Sequence, residues 1–123
     1  MIKKIFAQNI VTVLHFDANW TRNLEFFLEL PKRAVILQLD SATDIFKAKE
    51  LLDGHCCLMG DVSPALLAVG SPSEVDEYCK KLITVVGKGG GLVYSVGCAT
   101  PFNAKYENVK AFFDAVEKYG RYN

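Results

Sequence analysis

Four short apolar runs alternate along the chain with four helical patterns. Residues 10–14 (IVTVL), 34–39 (AVILQL), 56–59 (CCLM) and 92–96 (LVYSV) have the length and β-branched character of buried strands. After the first run, Leu24, Phe27, Leu28 and Leu30 fall close to helical spacing, and Pro31 stops the pattern. A second helix is expected over residues 44–52, with Thr43 or Asp44 as its N-cap and Gly54 as its stop. The third has the clearest start, because Ser71-Pro-Ser-Glu74 reads as a capping box with proline at the first helical position. Val75, Tyr78, Cys79, Leu82, Ile83 and Val86 then form one apolar stripe that Gly87 ends. One extra helical turn is expected at residues 63–67, ahead of that helix. A last helix spans residues 105–119, with Val109, Phe112, Phe113 and Val116 as its expected buried face and Gly120 as its stop.

Four consecutive strand–helix units mean an α/β fold with parallel strands joined by right-handed helical crossovers. The runs are continuously apolar, as in a sheet covered on both faces or a barrel wall. Two architectures follow: a doubly wound open sheet, or a (βα)4 half of a (β/α)8 barrel, whose full length is typically about 250 residues. In both, ligands gather at the carboxyl ends of the strands. Those ends carry His15, Asp17 and Asn19, then Asp40, then Asp61 and Ser63, then Cys98, all able to share one rim. Asn19, Asp40, Asp61 and Ser63 are candidate substrate-binding groups. Aspartate and asparagine after a strand also commonly cap the next helix, so Asn19 and Asp40 carry both readings. His15 and Cys98 are neither preferred caps nor turn formers, and they are the stronger candidates for catalysis. The cluster Lys88-Gly-Gly-Gly91 follows a helix and precedes a strand. A phosphate cradle needs the reverse order, so these glycines read as a helix stop and tight turn.

Composition narrows the function classes. A chain of 123 residues, half of them hydrophobic and 23% charged, supports one packed domain over residues 1–123 and excludes extensive disorder. Fourteen basic against fourteen acidic residues give no net charge, and so no footprint for nucleic acid or an anionic membrane. No apolar run approaches the ~20 residues of a membrane span, and the first residues lack the pattern of a secretory signal. A soluble, cytoplasmic protein is expected. Cys56, Cys57, Cys79 and Cys98 are spaced for neither a disulfide framework nor a zinc ribbon; the first three read as small buried hydrophobes.

The chain carries, in order, Leu58-Met-Gly-Asp-Val-Ser-Pro64, Leu67, Gly70, Ser71-Pro-Ser-Glu-Val75, Gly90-Gly-Leu-Val-Tyr-Ser-Val-Gly-Cys98 and Glu107-Asn-Val-Lys-Ala111. In these motifs it resembles, from near Ile10 onward, the carboxyl-terminal half of the uroporphyrinogen decarboxylase superfamily. That superfamily includes the decarboxylase of haem biosynthesis and zinc-dependent methyltransferases that move methyl groups between corrinoid proteins and thiols. Its fold is a (β/α)8 barrel, of which this chain would supply the last four units.

In the methyltransferase branch, zinc is held by a His-x-Cys motif at one strand end and a cysteine at the last. His15 and Cys98 stand at those places, and Asp17 stands where the motif has cysteine. The decarboxylase branch carries a histidine between glycines where this chain has Gly97-Cys98-Ala99. The resemblance therefore leans towards methyl transfer, with zinc on His15, Asp17 and Cys98 or a metal-free relative as the alternatives, and with a corrinoid on a partner protein. Partners implied are the missing amino-terminal half or a second copy closing a homodimer. A non-catalytic ligand-binding or partner module is the competing reading. An unrelated receiver-like sheet is disfavoured, because no phosphoacceptor-type acidic cluster follows the first strand and no phosphate loop is present.

Overall fold

The computed structural model describes residues 1–121. The elements are α1 (Ile2–Phe6), β1 (Thr12–Phe16), a 3₁₀ segment (Thr21–Glu29), β2 (Val35–Leu39), α2 (Ile45–Leu52), β3 (Cys57–Val62), α3 (Pro64–Val69), α4 (Pro72–Lys81), a π-helical turn continuing α4 (Leu82–Val86), β4 (Leu92–Val96) and α5 (Tyr106–Tyr119). Among the described residues no helix is long and apolar enough to cross a membrane.

The strands form one parallel sheet in the order β1-β2-β3-β4. This order decides between the two expected architectures. A doubly wound sheet reverses direction once and places helices on both faces. Sequential order with crossovers of one hand puts every helix on the same face, which is the wall of a barrel. The chain is a (βα)4 half of a (β/α)8 barrel.

The register confirms that the two faces differ. Leu14, Leu37, Leu58 and Leu92 lie side by side and face the helices. There they pack with Leu24, Ile45, Leu52, Val75, Cys79, Leu82, Phe112 and Ala115, all buried. The neighbouring row is His15, Gln38, Met59 and Val93, on the face that would line the barrel. None of these four is buried, and on the same face Val13 is 53% exposed.

Local chemistry accounts for the helix starts. Asp44 caps α2 by accepting from the amides of Phe46 and Lys47. At α4, Ser71 accepts from the Glu74 amide while the Glu74 carboxylate accepts from Ser71, so both halves of the capping box are made. The glycine turn after the π-helical turn lies on the amino-terminal rim, with Gly89, Gly90 and Gly91 all at positive φ. Its carbonyls, not its amides, face the nearest charge: Lys49 Nζ donates to Lys88 O (2.8 Å) and Asp53 Oδ1 (2.6 Å). A carbonyl-lined turn repels phosphate.

Several expectations are corrected. β1 starts at Thr12, leaving Ile10 and Val11 exposed outside the sheet. The segment after it is 3₁₀ rather than α, burying Leu24 and Phe27 while Leu28 stays 45% exposed, because three residues per turn rotate position 28 off the packed face. β3 continues through Gly60 and Asp61 to Val62, which moves Asp61 from the loop into the strand. In α5 the buried face is Asn108, Ala111, Phe112 and Ala115, not the stripe through Phe113 and Val116. The reason is polar: Asn108 Nδ2 donates to the carbonyls of Leu67 (3.0 Å) and Gly70 (2.9 Å) at the end of α3, which fixes the helix rotation.

Candidate functional site at the carboxyl rim

The carboxyl ends of β1 and β4 bring three donor groups together. His15 is the penultimate residue of β1, Asp17 follows that strand, and Cys98 lies two residues past the end of β4. One ligand atom from each of His15, Asp17 and Cys98 lies within 4.8 Å of the other two, and all three residues are exposed. His15 Nε2 stands 3.2 Å from Asp17 Oδ1. A carboxylate only accepts, so the imidazole N–H is the donor.

The donor set suits a divalent cation. It offers one nitrogen, one oxygen and one sulfur, and two anionic groups when thiol and carboxyl are ionised. Around tetrahedral zinc, donors are about 3.3–3.8 Å apart. The His15–Asp17 spacing already falls just below that, and closing the rest takes side-chain movement of about 1 Å.

The other rim candidates are held differently. Asn19 Oδ1 accepts from the Thr21 amide (2.9 Å), starting the 3₁₀ segment. Asp40 accepts from the amides of Ala18 and Ala42, each at 2.9 Å, tying the loop after β1 to the loop after β2. Ser63 is the N-cap residue of α3 without a side-chain capping bond. Asp61 is turned to the helical layer, 3% exposed, with Tyr78 Oη donating to its Oδ1 at 2.7 Å. Sequence reasoning missed Tyr78 as a polar partner because its ring sits in the apolar stripe of α4. Thr43 was legible only as a possible cap, yet it is buried and its hydroxyl bonds the loop after β1.

Burial pushes the Asp61 carboxyl up to about 6, with Asp44 and Asp40 adding repulsion against the Tyr78 hydrogen bond that stabilises the charge. An unfolded aspartate ionises near 3.9, so in the window up to about 6 the native chain holds a proton the unfolded chain has lost. Stability must then fall as pH rises through this window, by about 3 kcal/mol in all. Asp61→Asn retains an acceptor for Tyr78 but has no charge. Urea unfolding at pH 4.5 and pH 7.5 is expected to show the parent losing stability between the two values relative to this variant; parallel behaviour of both would refute the assignment.

Cys56, Cys57, Cys79 and Cys98 are all free thiols. Cys56 and Cys79 are buried, Cys57 is half-buried, and burial pushes the Cys56 thiol up to about 11. Cys98 is the exposed thiol among the four.

A parallel barrel wall with a nitrogen–oxygen–sulfur trio on its carboxyl rim defines the class: part of a (β/α)8 barrel. The family model of uroporphyrinogen decarboxylase (URO-D) matches residues 1–119, and the chain belongs to that family. It is 32% identical over 81 residues to uroporphyrinogen decarboxylase of Pseudoalteromonas atlantica, an overlap of 66% of this chain and 22% of that protein. The enzyme of the same name from Hahella chejuensis is 28% identical over 108 residues, 88% of this chain and 30% of the relative. Among solved structures, a methyltransferase from Methanosarcina mazei superposes with a TM-score of 0.75 at 24% identity, covering 98% of this chain and 35% of that one. The last shares the fold. The chain thus spans between about a fifth and a third of the relatives it matches.

Proposed function

We propose that this chain is the metal-bearing half of a barrel that transfers a methyl group between a corrinoid carried by a partner protein and a thiol. The observation that carries the reading is the convergence of His15, Asp17 and Cys98 on the carboxyl rim. His15 would give nitrogen, Asp17 oxygen and Cys98 sulfur to zinc, leaving a fourth position open. Zinc bound there would lower the pKa of a substrate thiol and hold it ionised at neutral pH.

The chain's own residues set the terms of that chemistry. Asp17 and Cys98 balance the charge of a dication, and the histidine keeps the set from becoming more anionic. Carboxylate is a harder donor than the cysteine of the family motif, so Asp17 would leave a metal-held thiol a weaker nucleophile than two sulfurs would. In the transfer the carbon–cobalt electron pair stays with the corrinoid, the new carbon–sulfur bond uses a sulfur lone pair, and the thiol proton leaves to solvent. The half-barrel leaves the trio open to water, so efficient turnover needs the rest of the ring.

The test is demethylation of methylcob(III)alamin by a thiol in the presence of the zinc-loaded chain. Slow, thiol-dependent demethylation is expected, and it should vanish when His15→Ala and Cys98→Ser are combined. Full activity in that double variant would sink the role of both residues. The names of the curated relatives favour a second reading, decarboxylation of uroporphyrinogen. Little carbon dioxide release is expected from the chain alone, since it spans under a third of those enzymes; robust release would make this second reading the correct one.

A further inference from the structure

We propose that the turn of residues 40–43 is the positioning device of the rim trio, setting Asp17 from one side and Cys98 from the other. The proposal rests on the metal reading above and extends it to residues that touch no ligand.

On the first side, the backbone around Ala18 is clamped. Ala18 has a φ of +69°, in the left-handed region where a Cβ is disfavoured. Its N–H donates to Asp40 Oδ2 at 2.9 Å. The buried Thr43 hydroxyl donates to Ala18 O and accepts from the Trp20 N–H, each at 3.0 Å. Trp20 Nε1 in turn donates to Asp17 O at 2.9 Å. These four bonds flank Asp17 and fix the direction in which its carboxylate leaves the chain.

On the second side, the end of β4 is pressed against the same turn. Gly97, next to Cys98, is buried. A Cβ on it would stand 3.1 Å from Ser41 N, 3.2 Å from Asp40 Cα and 3.3 Å from Asp61 O. Its amide donates to Val62 O at 2.9 Å. Cys98 therefore emerges at a height set by how closely the glycine backbone meets residues 40 and 41. One turn gauges both halves of the site, and the Thr43 hydroxyl locks it to the Ala18 loop.

A merely structural role for Thr43 predicts lost stability and an unchanged site in whatever fraction stays folded. Positioning predicts a changed site in the folded chain. Cobalt(II) titration of the parent, Thr43→Ser, Thr43→Val and Gly97→Ala separates the two, with circular dichroism confirming the fold. Parent and Thr43→Ser should show the same affinity and sulfur-to-cobalt absorption band. Thr43→Val and Gly97→Ala should bind roughly 10–100-fold more weakly, with a shifted band. Parent-like affinity and spectrum in Thr43→Val would overturn the proposal. If Thr43→Val does not fold, Asp40→Asn takes its place with the same expectation and the same refuting result.

A metal-free arm keeps this separate from the metal reading. A nuclear Overhauser contact between the His15 ring and the Cys98 β-protons is expected in the parent and in Thr43→Ser, and is expected to weaken in Thr43→Val. Absence of cobalt uptake by the parent would overturn the metal reading alone. An undiminished contact in Thr43→Val would overturn the positioning role whatever the metal result.

Discussion

The parent chain purified without chelator is expected to retain zinc, and chain carrying Cys98→Ser should hold little of it. The sulfur is the softest donor in the trio, and a serine hydroxyl stays protonated at neutral pH, so the change removes a ligand and an anionic charge together. His15 and Asp17 alone leave a two-coordinate site. The loss in affinity should exceed the roughly 10–100-fold that changes outside the ligand set produce. Cys98 is exposed and lies outside the buried core cluster, so the variant should unfold at the parent's denaturant midpoint. That separation of metal loss from fold loss makes the result interpretable. The reciprocal variant, Asp17→Cys, restores the two-sulfur pattern of the resembled motif and should bind zinc more tightly than the parent. Metal content by elemental analysis and a competition titration read both changes. Unchanged zinc in Cys98→Ser would count decisively against the assignment.

How much of this was legible in the sequence depended on whether one residue type had one job. The strand at residues 92–96 and the α4 start at Ser71 and Glu74 were readable to the residue, because β-branched runs and a capping box have few other uses. The two faces of the sheet were not. Val13 and Val93 look like core residues in the sequence, and only the sequential strand order turns them towards a barrel interior. Phe113 misled in the same way: it is as apolar as Phe112 but 64% exposed, since Asn108 sets the rotation of α5 through the α3 carbonyls. On the rim, His15 and Cys98 stood out because neither residue commonly caps or turns. Asp40 and Thr43 did not reveal that they tie loops together, because the side chains that cap a helix also bridge two loops. The Tyr78–Asp61 bond was hidden because a tyrosine in an apolar stripe gives no sign of where its hydroxyl ends.

Light scattering of the purified chain at micromolar concentration should report twice the mass of one chain. Four sequential parallel strands make half a ring, and among the described residues β1 and β4 each leave one edge of amides and carbonyls without a strand partner. A twofold rotation about the barrel axis sets β4 of each copy beside β1 of the other. It keeps all eight strands parallel and makes the two junctions identical. The same closure covers Val13, at 53% exposure, and Val93, at 39%, together with the half-buried Ile36, Cys57 and Met59. Burial of that face is the driving force, and the absence of net charge means that two copies meet without overall repulsion. Because the rotation axis runs along the barrel, both trios of His15, Asp17 and Cys98 would lie on one rim. Val93→Lys places a charge inside the closed ring but leaves it in water on an open sheet, so it should return the mass to that of one chain without unfolding it. A clean monomer for the parent at high concentration would exclude the twofold ring, while the match of residues 1–119 to the family would stand.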